Sequence, residues 1–280
     1  MEDTLINGQI EKNKKNIEQI LEYIYDKTKF DFREYKHSTA FRRISRRFYY
    51  CEVDNFSQYF DYIIKNYMEC LRLVNDLLIS VTEFFRDREQ WRFLYEKYLP
   101  EILQIKENKD CVRVWCAGCA SGEEAYSLAI ILEEIIEKYR LKNEYKIIAT
   151  DIAVSHIYRA QSGIYKKESL KNLPFEFIRE KYFSTDNDFI IIKKEIKKRI
   201  EFKFHSLTDN NFFPSQDLII CRNTLIYFTR KLQARIIKGF CDCLDKNGAL
   251  WLGKAENIFK EYELRFKFID PINKFFIYGR

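Results

Sequence analysis

Residues 9 to about 98 carry apolar side chains at three- and four-residue spacing. The series runs Ile17, Ile20, Leu21 and Ile24, then Phe56, Tyr59, Phe60, Ile63 and Ile64, then Leu71, Val74, Leu77 and Leu78. Residues three and four apart share one face of a helix, so this pattern predicts packed amphipathic helices. No glycine interrupts the chain from Gln9 to Ala117. These features place an all-helical domain with its linker helix at residues 1–98, and a second domain at 99–280.

From Cys111 onward the pattern changes to short apolar runs alternating with longer helical stretches. Cys111–Trp115, Lys146–Thr150, Asp217–Cys221, Ala249–Leu252 and Phe275–Tyr278 read as strands, and about Glu123–Tyr139 and Leu232–Leu244 as helices. Such alternation predicts a doubly wound α/β fold with a parallel sheet. Phe189–Ile192 and Ile200–Phe204, joined by Lys193–Arg199, read as a small antiparallel insertion at about 185–204.

The 280 residues are enough for two domains, and 46 % hydrophobic residues supply a sizeable core. No window approaches the roughly eighteen uninterrupted apolar residues of a membrane span, and Met1–Lys15 has no apolar signal core. A cytoplasmic protein is therefore expected, with its eight scattered cysteines as free thiols. Cys116 and Cys119 have the spacing of a metal-binding pair, but a structural zinc site needs four ligands. No further cysteine pair or histidine lies close enough in sequence to complete it, so no metal is expected. The net charge of +6 permits an acidic partner without requiring one.

The strongest chemical signal runs from Val112 to Glu124: a strand, the loop Ala117-Gly-Cys-Ala-Ser-Gly122, then a helix. Gly118 and Gly122 match neither the dinucleotide fingerprint nor a P-loop. Glu123 and Glu124 stand where a phosphate would sit and would repel it. They suit a ligand bearing ammonium, sulfonium or hydroxyl groups, or they are simply favourable charges in a first helical turn. Asp151, at the end of the second strand, can accept hydrogen bonds from a ribose diol. Loop and aspartate together point to a nucleoside cofactor without phosphate, such as S-adenosylmethionine.

A second distinctive segment is Asp217-Leu-Ile-Ile-Cys-Arg-Asn-Thr-Leu-Ile-Tyr-Phe228. With Ala117–Ser127, Leu78–Asp87 and Lys36–Arg47 it makes four blocks, in order, that resemble the CheR family of chemotaxis receptor methyltransferases between about Phe30 and Lys274. The resemblance implies a Rossmann-like methyltransferase domain behind an all-helical domain. It further implies methyl transfer from S-adenosylmethionine to glutamate carboxylates of chemoreceptor methylation helices, with S-adenosylhomocysteine as product.

Residue by residue, it assigns cofactor contacts to Ser80, Thr82, Arg86, Ala117, Gly118, Glu124, Asp151, Ser206, Leu207, Arg222 and Asn223. Arg86 and Tyr227 would face the acceptor glutamate, and Arg42, Arg43, Arg46 and Arg47 would form a receptor-docking face. On residue type alone, Tyr227 reads equally as core packing, and the arginines as a solvated basic face or a nucleic-acid patch.

The chain departs from the family pattern at Ser80 and Ser206, where asparagine is usual, and at Gly253-Lys-Ala-Glu256. Family members that bind a receptor's C-terminal peptide tether tend to carry extra glycine in the insertion. This chain has none between Gly163 and Gly239, so no tether is expected. A monomer without nucleic-acid or membrane partners completes the expectation. The competing readings are methyl transfer to another acceptor such as RNA, and a non-catalytic cofactor-binding module.

Overall fold

The computed structural model describes residues 2–79, 81–105, 111–142, 144–174, 177–209 and 211–279. It divides into two compact units, residues 1–79 with 226–234, and residues 80–225 with 235–280.

The helical unit holds α1 (Glu2–Thr28), α2 (His37–Cys51), α3 (Phe56–Lys65) and α4 (Tyr67–Leu77). Ile17, Ile20, Leu21 and Ile24 of α1 are buried, as are Phe56, Tyr59 and Ile63 of α3 and Leu73, Val74 and Leu77 of α4. Ile64, one step off that face, is exposed. Asn55 and Asn66 cap α3 and α4, accepting from the N–H groups of Gln58 at 3.0 Å and Glu69 at 3.3 Å. The segment 226–234 joins this unit through two backbone bonds, Lys36 N–H to Tyr227 O at 2.8 Å and Thr229 N–H to Glu34 O at 2.9 Å. The rings of Tyr35 and Phe228 meet edge-on at 5.0 Å.

The described residues of the second unit form ten strands: β1 (Cys111–Ala117), β2 (Glu144–Asp151), β3 (Ile164–Lys166), β4 (Phe183–Asp186), β5 (Phe189–Ile192), β6 (Ile200–Phe204), β7 (Gln216–Cys221), β8 (Leu244–Leu252), β9 (Phe266–Asp270) and β10 (Phe275–Tyr278). Its helices are α5 (Arg88–Phe93), α6 (Leu99–Ile105), α7 (Glu123–Tyr139), α8 (Val154–Ser162), α9 (Phe177–Tyr182), α10 (Lys194–Lys197), α11 (Arg230–Cys243, whose first residues lie in the helical unit) and α12 (Lys260–Glu263). The main sheet has the order β6-β2-β1-β7-β8-β10-β9. The first five strands are parallel and β10 runs antiparallel to both its neighbours, so the sheet is mixed rather than wholly parallel. Every residue of β7 is buried, as a central strand covered on both faces requires.

Three sequence expectations need correction. The helical domain ends at Ile79 rather than at residue 98, because residues 81–87 are irregular and α5 belongs with the sheet. A π turn at Leu94–Tyr98 joins α5 to α6, just before Pro100, which has no N–H for the regular helical ladder. The small antiparallel sheet is β3-β5-β4, so its span begins at Ile164. Ile200–Phe204 is not part of it; this strand pairs in parallel with β2 from Ile147↔Ile200 to Asp151↔Phe204 and forms the edge of the main sheet.

Candidate active site

The parallel strands end together. Ala117 aligns with Thr150, Asp151 with Phe204, and Cys221 with Leu252. The residues that follow these ends, Gly118, Ile152, His205, Arg222 and Gly253, therefore share the carboxyl edge of the sheet, where doubly wound folds bind ligands.

The loop after β1 is a tight left-handed wrap. Gly118, Ala120 and Gly122 have φ of 78°, 46° and 96°. Four of its backbone donors are already used. Gly118 and Cys119 N–H both reach Thr150 O at 2.8 and 2.9 Å, Gly122 N–H reaches Cys119 O at 3.0 Å, and Ala120 N–H reaches Asp151 Oδ2 at 2.9 Å. A phosphate-binding loop leaves such donors free; these four are not. Tyr165 braces the loop from β3, its hydroxyl donating to Ser121 O at 2.6 Å. Glu123 folds back on the Ser121 hydroxyl, which donates to it at 2.8 Å, and burial pushes its carboxyl above the ordinary value.

Glu124 points to the centre of this edge. Its Oε2 accepts from Arg222 Nη1 at 2.9 Å, while the contact to Oε1 is the weak donor Cys116 Sγ at 3.6 Å. Burial raises the Glu124 carboxyl, and the Arg222 charge opposes the rise. The Arg222 side chain is fully buried. Its Nη2 donates to Asp87 Oδ2 at 2.9 Å, Gln90 Oε1 at 2.7 Å and Arg86 O at 3.2 Å, and its Cζ lies 4.4 Å from the ring centre of Trp251. Its Nε is buried without a partner. One cation thus pairs with two carboxylates, of which Asp87 also has Lys254 at 3.8 Å, and ties residues 86–90 to the start of α7 and the end of β7.

Asn223 adopts φ 58°, and this turn hangs on Glu256. The Glu256 carboxylate accepts four backbone N–H bonds, from Gly253 at 2.7 Å, Asn223 at 3.0 Å, Thr224 at 2.9 Å and Leu225 at 2.7 Å. Burial raises its carboxyl despite these four donors. Ser206 and Leu207 are buried just past β6, and Thr208 N–H donates to Ser206 Oγ at 3.2 Å. Arg86 Nη1 rests on Val81 O at 2.9 Å, and Thr82 is half-buried in the same segment.

Ten of the expected site residues, Thr82, Arg86, Ala117, Gly118, Glu124, Asp151, Ser206, Leu207, Arg222 and Asn223, therefore lie in the sheet unit. Ser80 lies outside the described residues. Tyr227 and the four arginines belong to the helical unit. There Arg42 and Arg46 are exposed and Arg43 is half-buried. Arg47 is not a free docking group: its Nε and Nη2 grip both oxygens of buried Glu69 at 2.7 and 2.9 Å, and its Nη1 reaches Asp76 at 3.3 Å.

Sequence reasoning gave no role to Asp87, Gln90, Thr150, His156 or Glu256. Asp87 lies between Arg86 and Arg88, and Glu256 three residues past Gly253; those neighbours were the available signal. Cys116 and Cys119 are buried thiols that burial pushes well above the usual thiol value. Among the described residues no group of three or more His, Cys, Asp or Glu side chains could hold a metal ion, and no helix is long and apolar enough to cross a membrane.

Comparison with known proteins decides the family. The model of the CheR methyltransferase SAM-binding domain matches residues 80–273, and that of the CheR all-alpha domain matches residues 15–78. The chain belongs to the CheR methyltransferase family. It is similar to a chemotaxis protein methyltransferase of Borreliella burgdorferi, 31 % identical over 259 residues, covering 90 % of this chain and 91 % of that one. A chemotaxis protein methyltransferase of Listeria innocua is 33 % identical over 228 residues, covering 81 % and 84 %. An uncharacterized 104.1 kDa protein of Rhodobacter capsulatus is 34 % identical over 238 residues; the match covers 85 % of this chain and 25 % of that protein. This CheR-family chain is an S-adenosylmethionine-dependent methyltransferase, with S-adenosylhomocysteine as its product.

The donor set suits that cofactor. Four loop N–H groups turned inward and the Glu124 carboxylate at the start of α7 disfavour a pyrophosphate, while Glu124 Oε1 and Asp151 Oδ2 keep acceptor capacity for ammonium and hydroxyl groups.

Proposed function

We propose that this enzyme methylates glutamate side-chain carboxylates on the cytoplasmic methylation helices of bacterial chemoreceptors, forming the methyl esters of chemotactic adaptation. The observation that carries this reading is the match along both domains to chemotaxis protein methyltransferases, over nine-tenths of this chain in the Borreliella case. In the same reading the enzyme works in the cytoplasm as a monomer, without nucleic acid and without a peptide tether.

Bound S-adenosylmethionine supplies an electrophilic methyl on a sulfonium. Asp151 takes the ribose hydroxyls, Glu124 the ammonium or ribose side, and Ser206 and Leu207 border the adenine. Ala117 and Gly118 give the backbone edge, Ser80 and Thr82 add hydroxyls, and Arg222 and Asn223 form the floor.

The acceptor glutamate is already ionised near pH 7, so no general base is needed. Catalysis then rests on alignment of carboxylate oxygen, methyl carbon and sulfur. Arg86 orients the acceptor carboxylate through its fork of donors, and Tyr227 offers a hydroxyl. Arg86→Ala therefore lowers kcat for receptor methylation by about a hundredfold, the scale of lost positioning. Arg42 and Arg46 contribute to docking of the acidic receptor helix.

The test is mass spectrometry of a chemoreceptor cytoplasmic fragment incubated with enzyme and S-adenosylmethionine. The reading predicts one added methylene on particular glutamates, lost when those glutamates are replaced by aspartate. Modification of lysine, arginine or RNA instead would assign a different acceptor.

A further inference from the structure

Asp151 is crowded before any ligand arrives. A carboxylate offers about four lone-pair positions, two on each oxygen. Oδ1 already accepts Ala153 N–H at 2.9 Å and His156 Nδ1 at 3.1 Å, and Oδ2 accepts Ala120 N–H at 2.9 Å. Because an ionised carboxylate only accepts, the histidine proton sits on Nδ1 in this bond. Both side chains are mostly buried, Asp151 at 12 % exposure and His156 at 17 %. One position on Oδ2 remains, whereas a ribose diol presents two donors. The two backbone bonds are fixed by the turn at Ala153 and by the left-handed loop at Ala120, which has φ 46°. His156, a side chain in the first turn of α8, is the bond that can yield.

We propose that His156 is a positioning residue that competes with the cofactor's ribose for Asp151 Oδ1, so that cofactor affinity falls as the imidazole gains its second proton. The inference rests on the reading of Asp151 as the ribose acceptor. A neutral imidazole releases the carboxylate at modest cost. An imidazolium holds it by a charge-assisted bond about twice as strong. The charged groups around His156 are Asp151 at the end of β2 and Glu123 in the first turn of α7, and Glu123 also feels Arg159 of α8. Imidazole is the side chain that switches between neutral and cationic forms most readily, so pH is the variable that tests the exchange.

The experiment is calorimetric titration of the full chain with S-adenosylhomocysteine at about pH 6 and about pH 8, on wild type, His156→Ala, His156→Asn and Asp151→Ala. S-adenosylhomocysteine has no sulfonium, so its own charge is simple over this range. Wild-type Kd is expected to rise about three- to tenfold on going to the lower pH, one hydrogen bond's worth. His156→Ala removes that dependence and binds more tightly than wild type at the lower pH. His156→Asn, which puts a neutral donor where Nδ1 stands, also flattens the profile and serves if the alanine variant is unstable. A pH-independent wild type, or a His156→Ala variant that binds no more tightly at the lower pH, overturns the competition while Asp151→Ala still weakens binding. If Asp151→Ala leaves Kd unchanged, the ribose assignment itself fails and the inference goes with it.

Discussion

At the scale of single residues the site turns on Arg222. Its guanidinium is fully buried between the carboxylates of Glu124 and Asp87. Arg222→Met leaves the Glu124 carboxylate without the guanidinium that pairs it, while Asp87 keeps Lys254 at 3.8 Å. Breaking a buried pair from one side costs about 3–5 kcal/mol, and urea unfolding of the variant should show a loss of that order. Glu256 gives a milder case. Glu256→Gln retains one acceptor oxygen for four N–H groups, so the turn at Asn223–Leu225 loosens and S-adenosylhomocysteine binding weakens by about tenfold; calorimetry reads the change. Asp151 and Arg222 were legible in the sequence because a short apolar run stops at each of them or just before, and Glu124 because a glycine loop opens a helix there. Their partners were not. Asp87 and Gln90 reach Arg222 across more than a hundred residues of chain, and no local period encodes such a pairing.

At the scale of elements, α2 and α4 are joined by a buried ion pair. The Glu69 carboxyl is raised by burial, but hydrogen bonds from Arg47, Cys51 and Tyr59 outweigh this and hold it below 4.5. The folded unit therefore favours ionised Glu69. Its contribution is complete above about pH 4.5 and is lost as the pH falls through the lowered value. Urea midpoints at neutral and acid pH should drop more for wild type than for Glu69→Gln, which is weaker at neutral pH and less acid-sensitive.

The arginine pattern on α2 was visible in the sequence, yet helical spacing could not say which arginine would meet Glu69. The loop after β1 makes a sharper demand. Gly122 has φ 96°, and a Cβ there would stand 2.7 Å from the Cβ of Ala160. Gly122→Ala should cost about 1–3 kcal/mol and weaken S-adenosylhomocysteine binding. Ile200–Phe204 was legible as a strand but not in its pairing, since alternation marks a half-buried strand without naming its neighbour. β4, with Phe-Ser-Thr-Asp, has too few apolar residues to announce itself.

For the molecule as a whole, a net charge of +6 and the exposed Arg42 and Arg46 favour an acidic partner. Receptor methylation should slow as salt rises toward 1 M, where screening reaches within about 3 Å. The double variant Arg42→Glu/Arg46→Glu should raise KM for receptor by about tenfold, leaving S-adenosylhomocysteine affinity unchanged. The sequence carried the two-domain plan because helical and strand periods differ so plainly on either side of residue 100. It did not carry the return of residues 226–234 to the helical unit, which depends on backbone bonds to Glu34 and Lys36. The most direct test of carboxyl methylation is the fate of label transferred from S-adenosylmethionine to a chemoreceptor cytoplasmic fragment. Release of that label as methanol under mild base is the predicted result, since only an ester hydrolyses so readily. Label that survives base would contradict glutamate methylation and point to a nitrogen acceptor.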